Sequence, residues 1–182
     1  PGPAPTELDT SSFAFPLPLV VSPDGTRVVY REKTSATVDH ALRSALLDGS
    51  SPPVTLHAPL AAGRQVIDFL VSPDGLSVVY RADKTRLGQY ELFRSPFDGS
   101  TPAVRLHGLP VSGRWVWLYK ISPDSSRVVF RANLRVTAEM DVYSAPILGG
   151  STPQRLNNHL TPNGGVTDFV ISEDSKAIAF RA

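Results

Sequence analysis

The 182-residue chain has no cysteine. That excludes disulfides, thiolate zinc sites and a cysteine nucleophile. It leaves the compartment open, because an oxidising compartment permits disulfides without requiring them. Charge of one sign is lacking too: 18 basic against 17 acidic residues give a formal net charge of +1, and no Lys/Arg block stands out. Nothing marks a phosphate-tracking surface, so no nucleic acid partner is expected. Nor is there a run long enough to span a bilayer. The most apolar early stretch, "FAFPLPLVV" from Phe13 to Val21, is too short and holds two prolines. It fails as a signal peptide because no basic residue precedes it, the first being Arg27. Convincing helical periodicity is absent, while 17 prolines and 13 glycines punctuate the chain. Also missing are G-x-S-x-G, H-E-x-x-H and a phosphate loop. The chain is therefore read as no enzyme, with no catalytic residue, no metal and no cofactor. Hydrophobic residues at 41% and charged residues at 19% still describe a globular protein with a sizeable core.

What is present is a repeat. "VSPDGTRVVYR" begins at Val21, "VSPDGLSVVYR" at Val71, "ISPDSSRVVFR" at Ile121 and "ISEDSKAIAFR" at Ile171, a period of 50 residues. The second copy serves as template. "QVIDFLVS" (65–72) is apolar almost throughout, and "PDG" (73–75) is a turn. "LSVVYRA" (76–82) is a β-branched and aromatic strand, so the pair forms a hairpin. A third strand is expected at "YELFRSPF" (90–97), a tight turn at "DGSTP" (98–102) and a fourth strand at "AVRLHGL" (103–109). The first and third units follow with "RSALLDGSSPPVTLHAPL" (43–60) and "DVYSAPILGGSTPQRLNNHL" (141–160).

A four-stranded antiparallel unit at this period is the signature of a β-propeller blade. The inner two strands are apolar on successive residues, so both faces of their sheet must be covered, as when blades stack. Read with "SPDG-x-x-VVYRA…LFRSPFDGSTPAVRL", residues 16–182 resemble the TolB-like propeller, the Pro-Asp cousin of the WD40 repeat. The departures are Glu173 for the proline, Ser125 and Ser175 for the glycine, and Leu148 for the second-turn aspartate. The expected fold class is all-β, with about 3.5 blades. These are an N-terminal extension (1–15), blade 1 (16–62), blade 2 (63–112), blade 3 (113–162) and the inner hairpin of blade 4 (163–182). Three and a half blades leave open edges. The expected partners are therefore a protein, or further propeller blades from the same or another chain. The opening "PGPAP", without methionine, reads as a processed product or a fragment.

The repeated charges are Asp24, Asp74, Asp124 and Asp174 in the turns, and Arg31, Arg81, Arg131 and Arg181 in the second strands. A residue used once per blade suits a per-blade task, so aspartates are expected to cap hairpins and arginines to bridge blades. Asp68 and Asp168 sit mid-strand on innermost strands, and solvated channel positions are the preferred reading. His57 and His107 are one period apart, with His159 near the third unit's equivalent region, but no ligand spacing marks a metal site.

The loops from outer to inner strands differ between units, and variable loops on a repeated scaffold are where binding is built. They make Arg64, Arg114, Trp115, Trp117 and His159 the candidate partner-binding residues, because Arg and Trp anchor interfaces. The competing reading packs the tryptophans between blades. The resemblance implies a non-catalytic, protein-binding propeller scaffold of the bacterial periplasm or exterior. Its alternative is an accessory propeller of a prolyl-oligopeptidase-like hydrolase or metal-dependent lyase whose catalytic part lies elsewhere.

Overall fold

The computed structural model describes residues 19–33, 40–108, 112–135, 139–158 and 164–182. The expected extension 1–15 lies outside them. Unit 1 comprises β1 (Leu19–Val21), β2 (Arg27–Lys33), β3 (His40–Leu46) and β4 (Val54–Thr55). Unit 2 comprises β5 (Val66–Val71), β6 (Ser77–Arg86), β7 (Gln89–Pro96) and β8 (Val104–Arg105). Unit 3 comprises β9 (Val116–Ile121), β10 (Arg127–Ala132), β11 (Asp141–Pro146) and β12 (Gln154–Arg155). The fourth unit is the hairpin β13 (Asp168–Ile171) and β14 (Ile178–Arg181). Each complete unit is a four-stranded antiparallel meander with strands in sequence order.

The core lies between the sheets. Val29, Leu42 and Leu56 of unit 1 pack with Phe69, Tyr80 and Phe97 of unit 2. Val79, Leu92 and Leu106 of unit 2 meet Val116, Tyr119 and Phe130 of unit 3. Val129 and Val142 of unit 3 meet Val166 and Phe169 of the fourth hairpin. Four successive residues of β6, Ser77 to Tyr80, are buried, which is why the strand is not alternating. Each buried Val, Leu or Phe contributes roughly 1.5–3 kcal/mol, and only a neighbouring unit supplies that burial.

Two elements depart from expectation. The fourth strands are two residues long, not the seven of 103–109. The ladder continues only to the Leu106 N–H on the Leu92 carbonyl, at 2.9 Å. The next acceptor is a side chain: Nε2 of His107 takes the Leu92 N–H at 3.2 Å, which diverts the strand. Conversely, β6 runs past Ala82 to Arg86, where Arg86 faces Gln89 across the Leu87–Gly88 turn. Gly88 has φ +71°, the left-handed value such a turn requires.

Candidate functional site

The four first turns share one geometry. Ser22 Oγ donates to Asp24 Oδ1 at 2.5 Å, and the Thr26 N–H donates to the same oxygen at 3.1 Å. In the third unit Ser122 Oγ and the Ser126 N–H donate to Asp124 at 2.6 and 3.0 Å, and these bonds lower its pKa to about 2. Asp174 repeats the pattern despite Glu173 beside it. Where the glycine is missing, the serine has a task. Ser125 and Ser175 adopt φ of 60° and 62°. Their hydroxyls accept the backbone N–H of the preceding unit's aspartate, Asp74 and Asp124, each at 3.0 Å. Units 1 and 2 meet differently: a Cβ at Gly75 (φ +73°) would lie 2.8 Å from Pro23 Cδ.

Ser125→Ala should therefore lose about 1–2 kcal/mol, since the Asp74 N–H is stranded while the left-handed strain stays. Ser125→Gly should lose less, because glycine relieves the strain. Thermal unfolding of both variants ranks them; no loss in Ser125→Ala would show that the hydroxyl is idle.

The second-strand arginines reach the next unit. Arg31 Nη1 donates to the Val66 carbonyl at 3.0 Å and also to Ile67. Arg81 Nη1 donates to the Val116 carbonyl at 3.1 Å and also to Trp117. In β5 the register shifts between Val66 and Asp68, so the bulge presents the carbonyls that Arg31 collects. Arg81 also holds Asp68 through Nε at 3.1 and 3.0 Å, and the Tyr119 hydroxyl donates to the same carboxylate at 3.1 Å. Burial, then Asp68, pushes the Tyr119 hydroxyl pKa well up. Burial lowers the Arg31 and Arg131 values, opposed by Asp68 and Asp168 respectively. Arg181 is exposed and bonds Thr167 Oγ1 at 3.1 Å. Asp68 is thus part of a clasp, whereas Asp168 is exposed and lies 3.8 Å from Lys120.

At the opposite end lie the loops that enter the innermost strands. Arg64 and Arg114 are half-buried and tied inward. Arg64 donates to the Asp83 and Lys84 carbonyls at 3.1 and 3.0 Å, and Arg114 to the Leu134 carbonyl at 2.6 Å. Trp115 and Trp117 pack against each other with ring centroids 6.0 Å apart, and Trp117 is 49% exposed. The structure brings Arg114, Trp115 and Trp117 together on one loop and strand. Gln89 Nε2, donating to the Arg114 carbonyl at 2.5 Å, links them to the hairpin of unit 2. His159 lies outside the described residues.

That hairpin carries no signal in the repeat. Its tip exposes Lys84, Arg86 and Leu87, the last 71% accessible. Two buried carboxylates brace it. Asp83 accepts the Gly88 and Gln65 N–H groups at 3.0 and 2.7 Å, and Glu91 accepts the Thr85 N–H at 2.7 Å. Glu91 is also 2.8 Å from Arg105. The exposed Leu87 thus sits on a firmly braced turn, and only the short "RLGQ" stretch hints at it.

One histidine, His107, resolves into a backbone latch, while Nε2 of His57 is buried without a hydrogen-bond partner among the described residues. His107 Nε2 accepts the Leu92 N–H, as Asn157 Oδ1 accepts the Val142 N–H at 2.8 Å. Asn157 Nδ2 donates to the carbonyl of its following residue at 2.9 Å, and His57 Nδ1 bonds that of Ala58 at 2.7 Å. A neutral histidine and an asparagine therefore present the same donor and acceptor at this position. Among the described residues no group of three or more His, Cys, Asp or Glu is placed to hold a metal ion, and no helix is long and apolar enough to cross a membrane.

No family model matches the chain, and no curated protein matches it. Solved structures do. A TolB-type protein of Agrobacterium tumefaciens is 19% identical with a TM-score of 0.56, over 88% of this chain and 51% of that one. A puromycin-hydrolysing peptidase of Mycobacterium tuberculosis is 16% identical with a TM-score of 0.55, over 89% of this chain and 27% of that one. Prolyl oligopeptidase B of Galerina marginata is 12% identical with a TM-score of 0.56, over 90% and 22%. The chain thus spans about half the length of the TolB-type structure and about a quarter of the peptidases. At these identities the likeness is one of fold, and that fold is the β-propeller, present here as a part of one.

Proposed function

We propose that the chain is a non-catalytic propeller scaffold that holds a protein partner at its loop end, within a larger propeller or multi-protein assembly. The periplasm or exterior of a bacterial cell is the compartment in keeping with its TolB-like fold. One observation carries this reading: the exposed rings and chain at the loop end, Trp117 and Leu87, sit on backbone tied down by Arg64, Arg114, Asp83 and Glu91. Pre-set apolar anchors bind at low ordering cost. The repeated aspartates and Arg31 and Arg81, by contrast, are engaged within the scaffold.

Trp117→Ala should leave the unfolding midpoint nearly unchanged. It should reduce cross-linked partner, identified by mass spectrometry from source cells, tenfold or more. Equal recovery of the same partner by both proteins would refute the loop-end site. The peptidase likenesses support a second reading, an accessory propeller beside a hydrolase. That reading requires peptidase activity to co-purify with the chain, and Trp117→Ala to leave that activity unchanged.

A further inference from the structure

We infer that the loop end takes an acidic segment of its protein partner, with carboxylates flanking an apolar anchor. This rests on the loop-end reading above and adds the partner's chemistry to it. The net charge of +1 hides a separation that the order of residues does not reveal. Exposed carboxylates gather at the end of the repeated turns: Asp24, Asp74, Asp124 and Asp174 in the first turns, Asp48 and Asp98 in the second. Hydrogen bonds inside those turns hold Asp24, Asp48, Asp98, Asp124 and Asp174 below the usual carboxylate range, so this end stays anionic.

The loop end has the opposite sign. Arg64, Lys84, Arg86 and Arg114 come from three separate connections, and the fold collects them around the hairpin of unit 2. Arg64 donates to the Asp83 and Lys84 carbonyls, and the Arg114 carbonyl takes Gln89 of the same hairpin. Lys84 and Arg86 are exposed at its tip. Among the described residues none of the four has a carboxylate partner. The carbonyls that hold Arg64 and Arg114 fix the side chains without balancing their charge. The carboxylates of this end are already engaged. Asp83 and Glu91 are buried, the first under the Gly88 and Gln65 N–H groups, the second 2.8 Å from Arg105. Asp141 is buried between Arg135 at 3.9 Å and Arg155 at 3.8 Å. Glu32 lies 2.8 Å from Arg43, Asp168 faces Lys120, and Glu139 is half-buried in the connection into β11.

Charge and apolar surface together select the occupant. A segment that sets an aliphatic or aromatic side chain on Leu87 or Trp117 must place its neighbouring residues among unpaired ammonium and guanidinium groups. Carboxylates gain there, and a basic segment is repelled. A nucleic acid fits less well, because Leu87, next to Arg86 at the tip, offers no plane on which a base could stack. The opposite signs of the two ends also orient an approaching acidic partner toward the loops. That contribution falls on the association rate and weakens with salt.

The test uses the full chain and a fluorescein-labelled peptide that alternates glutamate with leucine around one tryptophan. A matched peptide carries lysine at each glutamate. Anisotropy should show saturable binding of the glutamate peptide alone, weakened about tenfold or more as ionic strength rises from about 0.02 to about 0.2 M. Arg86→Glu should weaken binding about tenfold, whereas Lys176→Glu, the same change of net charge at the turn end, should leave it unchanged. Both side chains are exposed, so both variants should keep the wild-type unfolding midpoint. No saturable binding, equal effects of the two reversals, or equal binding of the lysine peptide or of a thymidine oligonucleotide would overturn the inference. Cross-linking in source cells separates it from the loop-end reading. A partner lost from Trp117→Ala but recovered in full by Arg86→Glu would keep the loop end and reject its acidic ligand.

Discussion

Arg81→Ala is expected to lower unfolding free energy by about 2–4 kcal/mol, the largest loss for a single surface-reaching side chain in this protein. The change removes one guanidinium with three jobs. It strands the Val116 and Trp117 carbonyls at the start of the next unit. It leaves the Asp68 carboxylate with Tyr119 as its remaining side-chain donor. It also removes the cation that lies 5.8 Å from the Tyr119 ring centre. The Arg81 and Asp68 side chains are 16% and 36% exposed, so solvent screens the pair in part and the lower half of the range is favoured. Arg81→Lys should recover little, because an ammonium cannot grip a carboxylate and two carbonyls at once. Urea titrations of wild type and both variants measure the effect. A loss below about 0.5 kcal/mol, within the range of ordinary surface changes, would mean that the inter-unit clasp is incidental.

The second large effect is on pH. Burial, chiefly, pulls the His107 imidazole down to about 4; Arg105 adds to this, and Glu91 opposes it. In the unfolded chain the ring titrates near its ordinary value. Between those two values the unfolded state binds the proton and the folded state does not, so stability falls as pH drops from about 6.5 to about 4. Below that, both states are protonated and the contribution is flat. The shift from 6.5 to about 4 corresponds to about 3 kcal/mol. The mechanism is specific: protonating Nε2 turns the acceptor of the Leu92 N–H into a second donor aimed at it. Asp24, Asp98 and Asp124 also lose stabilising hydrogen bonds in acid, but below their ordinary pKa values. The difference between wild type and His107→Asn isolates the ring. Asparagine already performs this task at Asn157, so the variant should fold and lose this ring's share of the dependence between pH 6.5 and about 4, leaving that of His57, whose pKa burial also lowers. An unchanged pH profile in His107→Asn would exclude the latch as its source.

Repetition is what makes the fold legible from the residues. A strand, a Ser-Pro-Asp-Gly turn and an Arg-terminated strand recurring every 50 residues leave little choice of architecture, and stacking explains the near-continuous apolar runs. The candidate site is harder to read because its parts repeat only with a change of residue type. Position 83 is aspartate and accepts the Gln65 N–H; its counterpart Asn133 accepts the Trp115 N–H at 2.7 Å, while unit 1 has Lys33 there, so no constant residue announces the brace. The fourth strand reads too long because "AVRLHGL" keeps an apolar rhythm, while a side chain takes over the hydrogen bond that would extend it. His159 draws attention by residue type, although the residue in register with His57 and His107 is Asn157. Hydrogen-bond equivalence between an amide and a neutral imidazole is invisible to a search for ligand chemistry. Ser125 misleads in the same way: it looks like a weakened glycine and is a tie to the preceding unit.

Beyond the apolar core that units 2 and 3 share, three separated contacts bear on how they sit together. Arg81 grips the loop-end start of β9, Ser125 receives the Asp74 N–H at the turn end, and Gly149 rests against Val104 at the periphery. Three points that do not lie on a line define a plane. Together they constrain the tilt and rotation of one sheet upon the next at the joint itself. The joint between units 1 and 2 keeps the first and third contacts and replaces the second with Pro23 against Gly75. A substitution at any of the three places would therefore act geometrically, opening or closing the fan by a few degrees, and that error would accumulate with every further sheet.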